Sequence, residues 1–287
     1  MVEYDIGAVV WCLRAKRADP TKKRGGSHKG RAAQAIALDA ISCYQPALSA
    51  QQHLPGHSMR AYAVSGLMTG DGLPLYPPFH PDMRAWIRLT GLQREVVAAF
   101  QEYRPDDILL DDWEWSVEEI LWDGNLWAGH TTYAELARRN EKLPASEQIT
   151  LCFVSPTLFK SNGLSSPLPL PHLVFGSLVN RWREYAPVPL PPEITDFAQH
   201  CIGINCHLIQ TSNIKLRYLE TGFTGEVTFA LGVHNSKLEK DNPELAAILK
   251  REKQNFCRII AMLSDYAFYS GVGKMTAQGM GMVHRVR

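Results

Sequence analysis

Residues 269–287 read YSGVGKMTAQGMGMVHRVR, with Gly271 and Gly273, then Gly279 and Gly281, set around the segment KMTAQ. Before them runs a long helical pattern, DNPELAAILKREKQNFCRIIAMLSDYAFY, in which Ile259, Ile260, Leu263 and Tyr266 recur at helical spacing, with Asn242 as N-cap and Pro243 in the first helical position. After them MGMVHRV reads as a closing strand. The order helix, glycines, strand is the reverse of a dinucleotide-binding turn, where a strand precedes the glycines and a helix follows. No Gly-Lys-Ser or Gly-Lys-Thr occurs, so a Walker loop is excluded as well. Glycine suits positive φ or close approach of another backbone. A loop of this kind is expected to present unpaired N–H groups, with Lys274 adding charge, to a phosphodiester; the competing reading is a tight helix-to-strand connection.

Working outward from that end, the chain repeats one pattern twice. YDIGAVVWCLRA alternates as a strand, with Tyr4, Ile6, Ala8 and Val10 on one side. Ala33, Ile36, Ala37, Ala40, Ile41 and Tyr44 mark a helix, and AYAVSGLM and the Gly-Leu-Pro stretch after it read as short strands. PDMRAWIRLTGLQREVVAAFQEY reads as a second helix packed through Trp86, Leu89, Val96 and Phe100, and WEWSVEEILWD as a closing strand. HTTYAELARRNEKLPAS is a helix and linker. The second round has QITLCFVSPTLF as a strand and LVFGSLVNRWREY as a helix. CHLIQTSNIKLRYL and FTGEVTFAL are strands, and the last helix and closing strand follow. Two βαββαβ rounds predict an α+β chain of two tandem ferredoxin-like (RRM-like) domains, residues 1–145 and 146–287, each a four-stranded antiparallel sheet backed by two helices.

Composition sets the frame. With 45% hydrophobic and 21% charged residues in 287, the chain is expected to be globular with a sizeable core. No apolar run is long enough to span a bilayer, and the first residues lack the charge order of a signal peptide, so a cytoplasmic protein without a membrane partner is expected. The six cysteines are scattered; CIGINC followed by His207 lacks the second half of a zinc site, so neither metal nor cofactor is expected. The net charge of +1 hides segregation: residues 14–31 carry eight Lys or Arg against one Asp, and residues 102–123 nine acidic residues against one Arg. Such blocks are solvated faces, or, beside glycines, a phosphate-binding surface.

The glycine pattern, GxG, five residues, GxG and a hydrophobic strand, resembles the hallmark of CRISPR-repeat endoribonucleases of the repeat-associated RNA-binding superfamily. AFYSGVG, ITLCFVSPTLF, LPLPHLVFGSLVNRW, TGFTGEVTF, GRAAQAIALDAI and AYAVSGL are similar to the same family, in its order, from about residue 30 to the end. The resemblance implies tandem ferredoxin-like domains that bind a CRISPR repeat in precursor and mature crRNA. It also implies metal-independent cutting of one phosphodiester by the substrate's own 2′-hydroxyl, leaving a 2′,3′-cyclic phosphate and a 5′-hydroxyl. A CRISPR effector complex and a homodimer are the further partners it suggests, and a silent RNA-binding subunit is the alternative. A histidine suits either proton transfer. The resemblance favours His53, with His57 four residues on and His28 at the start of the first helix as alternatives. Arg60 and Lys29 are the cations expected near the scissile phosphate, with plain surface charge as the competing reading for each. Lys22, Lys23, Arg24, Arg31 and Lys274 are expected to contact phosphates together with Gly271, Gly273, Gly279 and Gly281. Arg181 and Arg183 are expected to hold the repeat's stem, although an exposed helix face accounts for them equally well. Alanine at Gly279 and Gly281 is expected to weaken binding while the fold survives. No tyrosine in GGSHKGR matches the family's, which leaves the general acid unassigned.

Overall fold

The computed structural model describes residues 4–21, 28–48, 59–142, 144–216 and 218–286. The first half contains β1 (Ile6–Ala18), α1 (Gly30–Tyr44), β2 (Tyr62–Val64), β3 (Arg84–Gly91), α2 (Arg94–Glu102), β4 (Asp107–Leu110) and β5 (Trp113–Leu121). Its antiparallel sheet runs β2-β3-β1-β5-β4, and a short β6 (Gly129–Thr131) also pairs with β1 before α3 (Tyr133–Lys142). The second half contains β7 (Gln148–Thr157), a small hairpin of β8 (Phe159–Ser161) and β9 (Leu164–Ser166), α4 (Pro171–Tyr185) and α5 (Ile194–His200). Then come β10 (Ile202–Lys215), β11 (Leu219–Leu231), α6 (Ser236–Asp241), α7 (Pro243–Arg251), α8 (Lys253–Ser270) and β12 (Val283–Val286). Here the sheet order is β10-β11-β7-β12.

Without the additions, both halves place strand one between strands three and four, with strand two outside three. That is the ferredoxin-like arrangement. In each, alternate strand residues enter a core beneath the helices: Val9, Trp11 and Leu13 of β1 with Ala33, Ala37 and Ile41 of α1, and Ile149, Leu151 and Phe153 of β7 with Val174, Leu178 and Trp182 of α4.

Residues 84–91 correct the expected second helix: they form β3, and helix begins only at Arg94. The three-residue interval from Trp86 to Leu89 mimics a helical repeat. The strand is internal, however, with Ala85, Ile87 and Leu89 in the core beneath the helices, while Trp86, Arg88 and Thr90 are buried on the other face. A strand covered on both sides loses its polar alternation. The last helical pattern is also divided, ending at Arg251 and resuming at Lys253; Asn242 does cap its start, accepting the Leu245 N–H at 3.1 Å. Tyr44, expected in the core, is 42% exposed.

The two halves are joined by polar contacts as well as packing. Arg88 of β3 donates from Nε to the Trp127 carbonyl and from Nη2 to the Phe268 carbonyl of α8, both at 2.7 Å, and its guanidinium lies 3.9 Å from the Phe268 ring centroid. Residues 276–278, a turn of 3₁₀ helix in the glycine segment, pack against α1 and β2, and Gly279 bridges to Ser65.

Candidate RNA-binding site

The glycine segment is folded mainly upon the protein itself. All four glycines have positive φ, from 65° to 88°. At Gly279 a Cβ would lie 2.5 Å from His28 Cε1 and 2.8 Å from Gly30 Cα, and at Gly281 it would overlap the Val272 carbonyl oxygen. The N–H groups expected to face a phosphate are largely spent internally. Val272 donates to Gly281 O, Gly273 to Ser177 Oγ, Lys274 to Leu158 O, Gln278 to Met275 O and Gly281 to Pro156 O. Lys274 pairs with the largely buried Glu220 at 3.4 Å. This segment therefore seals the junction between the halves, and the backbone that approaches its glycines in this structure is the protein's own.

His28 and Lys29 lie under that seal. His28 is 6% exposed, and its Nδ1 accepts the Gly30 N–H at 3.3 Å. Burial pushes the imidazole down to about 4, opposed by a hydrogen bond with the Gly279 backbone. Such a ring is neutral near pH 7, and although buried it lines the open groove beside α1. Lys29 corrects the expectation of a free cation. Its side chain is 1% exposed, its Nζ is 3.0 Å from Asp112 and 3.3 Å from Asp111, and it lies 5.5 Å from the Phe79 ring centroid.

The two charge blocks seen in the sequence prove to be partners. Because β1 pairs with β5, Arg14 meets Glu118 at 2.5 Å, Lys16 meets Asp107 at 2.6 Å and Arg17 meets Glu114 at 2.7 Å. Much of the basic block is thereby neutralised within its own sheet. Arg31 remains exposed on α1 and lines an open groove of about 610 Å³ with Gln34, Leu38, Lys215 and Leu216, between α1 and the tip of the β10–β11 hairpin. Lys22, Lys23, Arg24, His53 and His57 lie outside the described residues.

Beside that groove, Gln34 Nε2 donates to Tyr62 Oη at 3.4 Å, and Arg60 stands two residues before Tyr62. Tyr185 on α4 donates to the Met59 carbonyl at 3.1 Å, tying the chain entering β2 to the second half. Burial pushes the Tyr185 phenol up to about 12, although Arg181 and Arg60 both act to lower it, so near neutral pH it is a donor. Arg181 departs from the exposed helix face expected of it: it is 6% exposed and donates through Nη2 to Thr276 Oγ1 at 2.5 Å. Arg183 is exposed and braces the Pro191–Pro192 carbonyls, with 3.4 Å to each. Tyr185 and Thr276 were absent from the expected site. The four-residue interval from Arg181 to Tyr185, which sets both on one helical face, was the available signal.

Residues 151–283 match the family model of the CRISPR-associated endoribonuclease Cas6, across β7, α4, the long hairpin, α8 and the glycine segment. That match covers the second half of the chain, a little under half of its length. Among solved structures, a Cas6 product complex matches with 23% identity over 99% of this chain and 100% of its own, at a TM-score of 0.73. Thermus thermophilus Cas6 matches with 21% identity over the whole of both chains at 0.68. A protein described as the product of a Cas6-related gene from Pyrococcus furiosus matches with 10% identity over 98% of this chain and 99% of its own at 0.54. At these identities the likenesses are of fold, and they extend it over both halves. Curated protein sequences give no match. Among the described residues no His, Cys, Asp and Glu side chains gather into a group that holds a metal ion, and no helix is long and apolar enough to cross a membrane.

Proposed function

We propose that this chain is a Cas6-type endoribonuclease that cuts precursor CRISPR RNA within its repeats, without a metal, by attack of a ribose 2′-hydroxyl on the adjacent phosphorus. One histidine, His53 first, then His57 or His28, accepts the hydroxyl proton or delivers a proton to the departing 5′-oxygen. The new P–O2′ bond replaces the P–O5′ bond, leaving a 2′,3′-cyclic phosphate upstream and a 5′-hydroxyl downstream. Arg60 meets the charge that builds on the phosphorane. The observation that carries the reading is the Tyr185 bond to Met59, which leads into the same strand whose Tyr62 is bonded by Gln34 of the groove that Arg31 and Lys215 also line. It supports the reading by fixing Met59, the first described residue after the segment that bears His53 and His57, to α4 of the second half.

On this reading the N-terminal unit, 1–145, supplies the histidine and the C-terminal unit, 146–287, the glycine segment. The protein works in the cytoplasm on precursor RNA, keeps or passes on the mature crRNA to an effector complex, and acts alone or as a homodimer. Incubation with labelled repeat RNA in EDTA tests the chemistry. Cleavage is expected to persist with chelator and stop when the nucleotide upstream of the cut is 2′-deoxy. His53→Ala is expected to lower the rate about 10²–10⁴-fold, the usual worth of general acid–base catalysis. Cutting of the deoxy substrate at the same phosphate would sink internal attack, and tight binding of intact RNA without cutting would make the protein a silent binding subunit.

A further inference from the structure

Two guanidinium groups near the junction are incompletely used. Arg181, on the second half, is 6% exposed, spends Nη2 on Thr276 Oγ1, and has a buried Nη1 without a hydrogen-bond partner. Arg60, on the first half, likewise has a buried Nη1 without a partner. Tyr185 connects them: it lies one helical turn beyond Arg181, its hydroxyl bonds to the residue before Arg60, and both arginine charges bear on its phenol.

A buried cation ordinarily meets a carboxylate or fills its donors with carbonyls, because a desolvated N–H without an acceptor is costly. Lys29 does the first and Arg88 draws on carbonyls for the second. Around Arg181 the titratable neighbours are the phenols of Tyr266 and Tyr185, both neutral near pH 7, with no carboxylate among them.

We infer that Arg60 and Arg181 form a two-armed site for one phosphate group, bound across the junction between the halves and supplied by a phosphodiester of the RNA. The inference rests on the proposed RNA-processing role for the source of the phosphate, while the anion chemistry stands on the arginines alone. The guanidinium fork matches tetrahedral oxyanions with directed, charge-assisted bonds, which a lysine does not reproduce. Occupation from opposite halves also means that binding clamps the junction, so anion binding and thermal stability are linked.

The first arm of the test uses sulfate, with no RNA present. Thermal unfolding of the full chain is compared in sodium sulfate and in sodium chloride of equal ionic strength, for wild type, Arg60→Gln and Arg181→Lys. Wild type is expected to gain about 2–4 °C more from sulfate than either variant. An equal gain in all three means general salting-out or bound water and overturns the site. If Arg181→Lys does not fold, Arg60→Gln, at a half-buried position, decides by itself. The second arm uses 2′-deoxy-blocked repeat RNA. Each variant is expected to lose about 10-fold in affinity, the order of one charge-assisted hydrogen bond, and the double variant little more than one single, because both arms hold the same group. Fully additive losses would place the arginines on different phosphates and overturn the two-armed site. A sulfate response with no RNA binding would leave the anion site standing and remove the RNA reading; cleavage of RNA with no differential sulfate response would do the reverse.

Discussion

The amino end of α1 and the carboxyl end of α4 each bury a cation near the glycine segment, and they treat it in opposite ways. At α1, Lys29 is met by two carboxylates, His28 by two backbone groups, and Gly30 by Gln278 so closely that a Cβ there would overlap its carbonyl oxygen. At α4, Arg181 finds a threonine hydroxyl and leaves one nitrogen unsatisfied. The first region is a finished interior, stable without a ligand. The second, on the inference above, is an interior that an anion completes. Burial of charge alone does not mark a functional residue; burial without a carboxylate partner, and with one nitrogen unpaired, is what distinguishes Arg181 from Lys29.

The sharpest way to break this contrast is Gly279→Ala. The new methyl meets His28, the Gly30 backbone and the Gly66 N–H while forcing an L side chain to φ +88°. Positive-φ strain and overpacking together are expected to cost about 4 kcal/mol, read as a fall in urea midpoint. This replaces the sequence expectation that the fold survives. An unchanged midpoint would mean that the junction is loose and the α1 end is not finished.

Next in size, Lys29→Met keeps the apolar stem but strands Asp111 and Asp112, whose side chains are 27% and 14% exposed. A loss of about 3 kcal/mol is expected, at the lower end for a broken buried pair because the carboxylates retain some water. A smaller effect follows from His28. Its folded value of about 4 lies below the ordinary 6.5, so between those values the unfolded chain binds the extra proton. Its contribution is complete above pH 6.5 and disappears as pH falls through 4, with about 2 kcal/mol lost by pH 5. Chemical denaturation at pH 7.5 and 5 should show this loss in wild type and a smaller one in His28→Asn. Equal losses would put the acid sensitivity elsewhere.

Arg181→Met is expected to have the smallest effect on stability. Removing a desolvated charge offsets the lost Thr276 bond, so the RNA-free protein should stay within about 1 kcal/mol of wild type while RNA affinity falls. Destabilisation as large as that of Lys29→Met would erase the difference between the two helix ends.

How far the sequence reached depended on whether the deciding signal was local. Period-two alternation located β1, an apolar run located β7, and the Asn242–Pro243 pair located the start of α7, because each signal is carried by neighbours in sequence. The β3 strand was misread because burial on both faces leaves no alternation, and only its position between β2 and β1 explains that burial. The site divided in the same way. The glycines marked a special backbone, but what approaches it is decided by α1, some 250 residues away along the chain.

By itself the sequence determined two βαββαβ rounds and the helix-glycine-strand order that excludes a nucleotide loop. It also carried the motifs of the second half that match the Cas6 family model. These are properties of residue order, and short-range sterics enforce them. Only the tertiary structure decided which charges are spent. Arg14, Lys16, Arg17 and Lys29 look as available as Arg31 in the sequence, yet each is matched to an acid that β1–β5 pairing or the β4–β5 turn brings from about 80 to 105 residues away. Coulombic pairing and desolvation depend on distance in space and on what excludes water, and neither quantity is written in the order of residues along a chain.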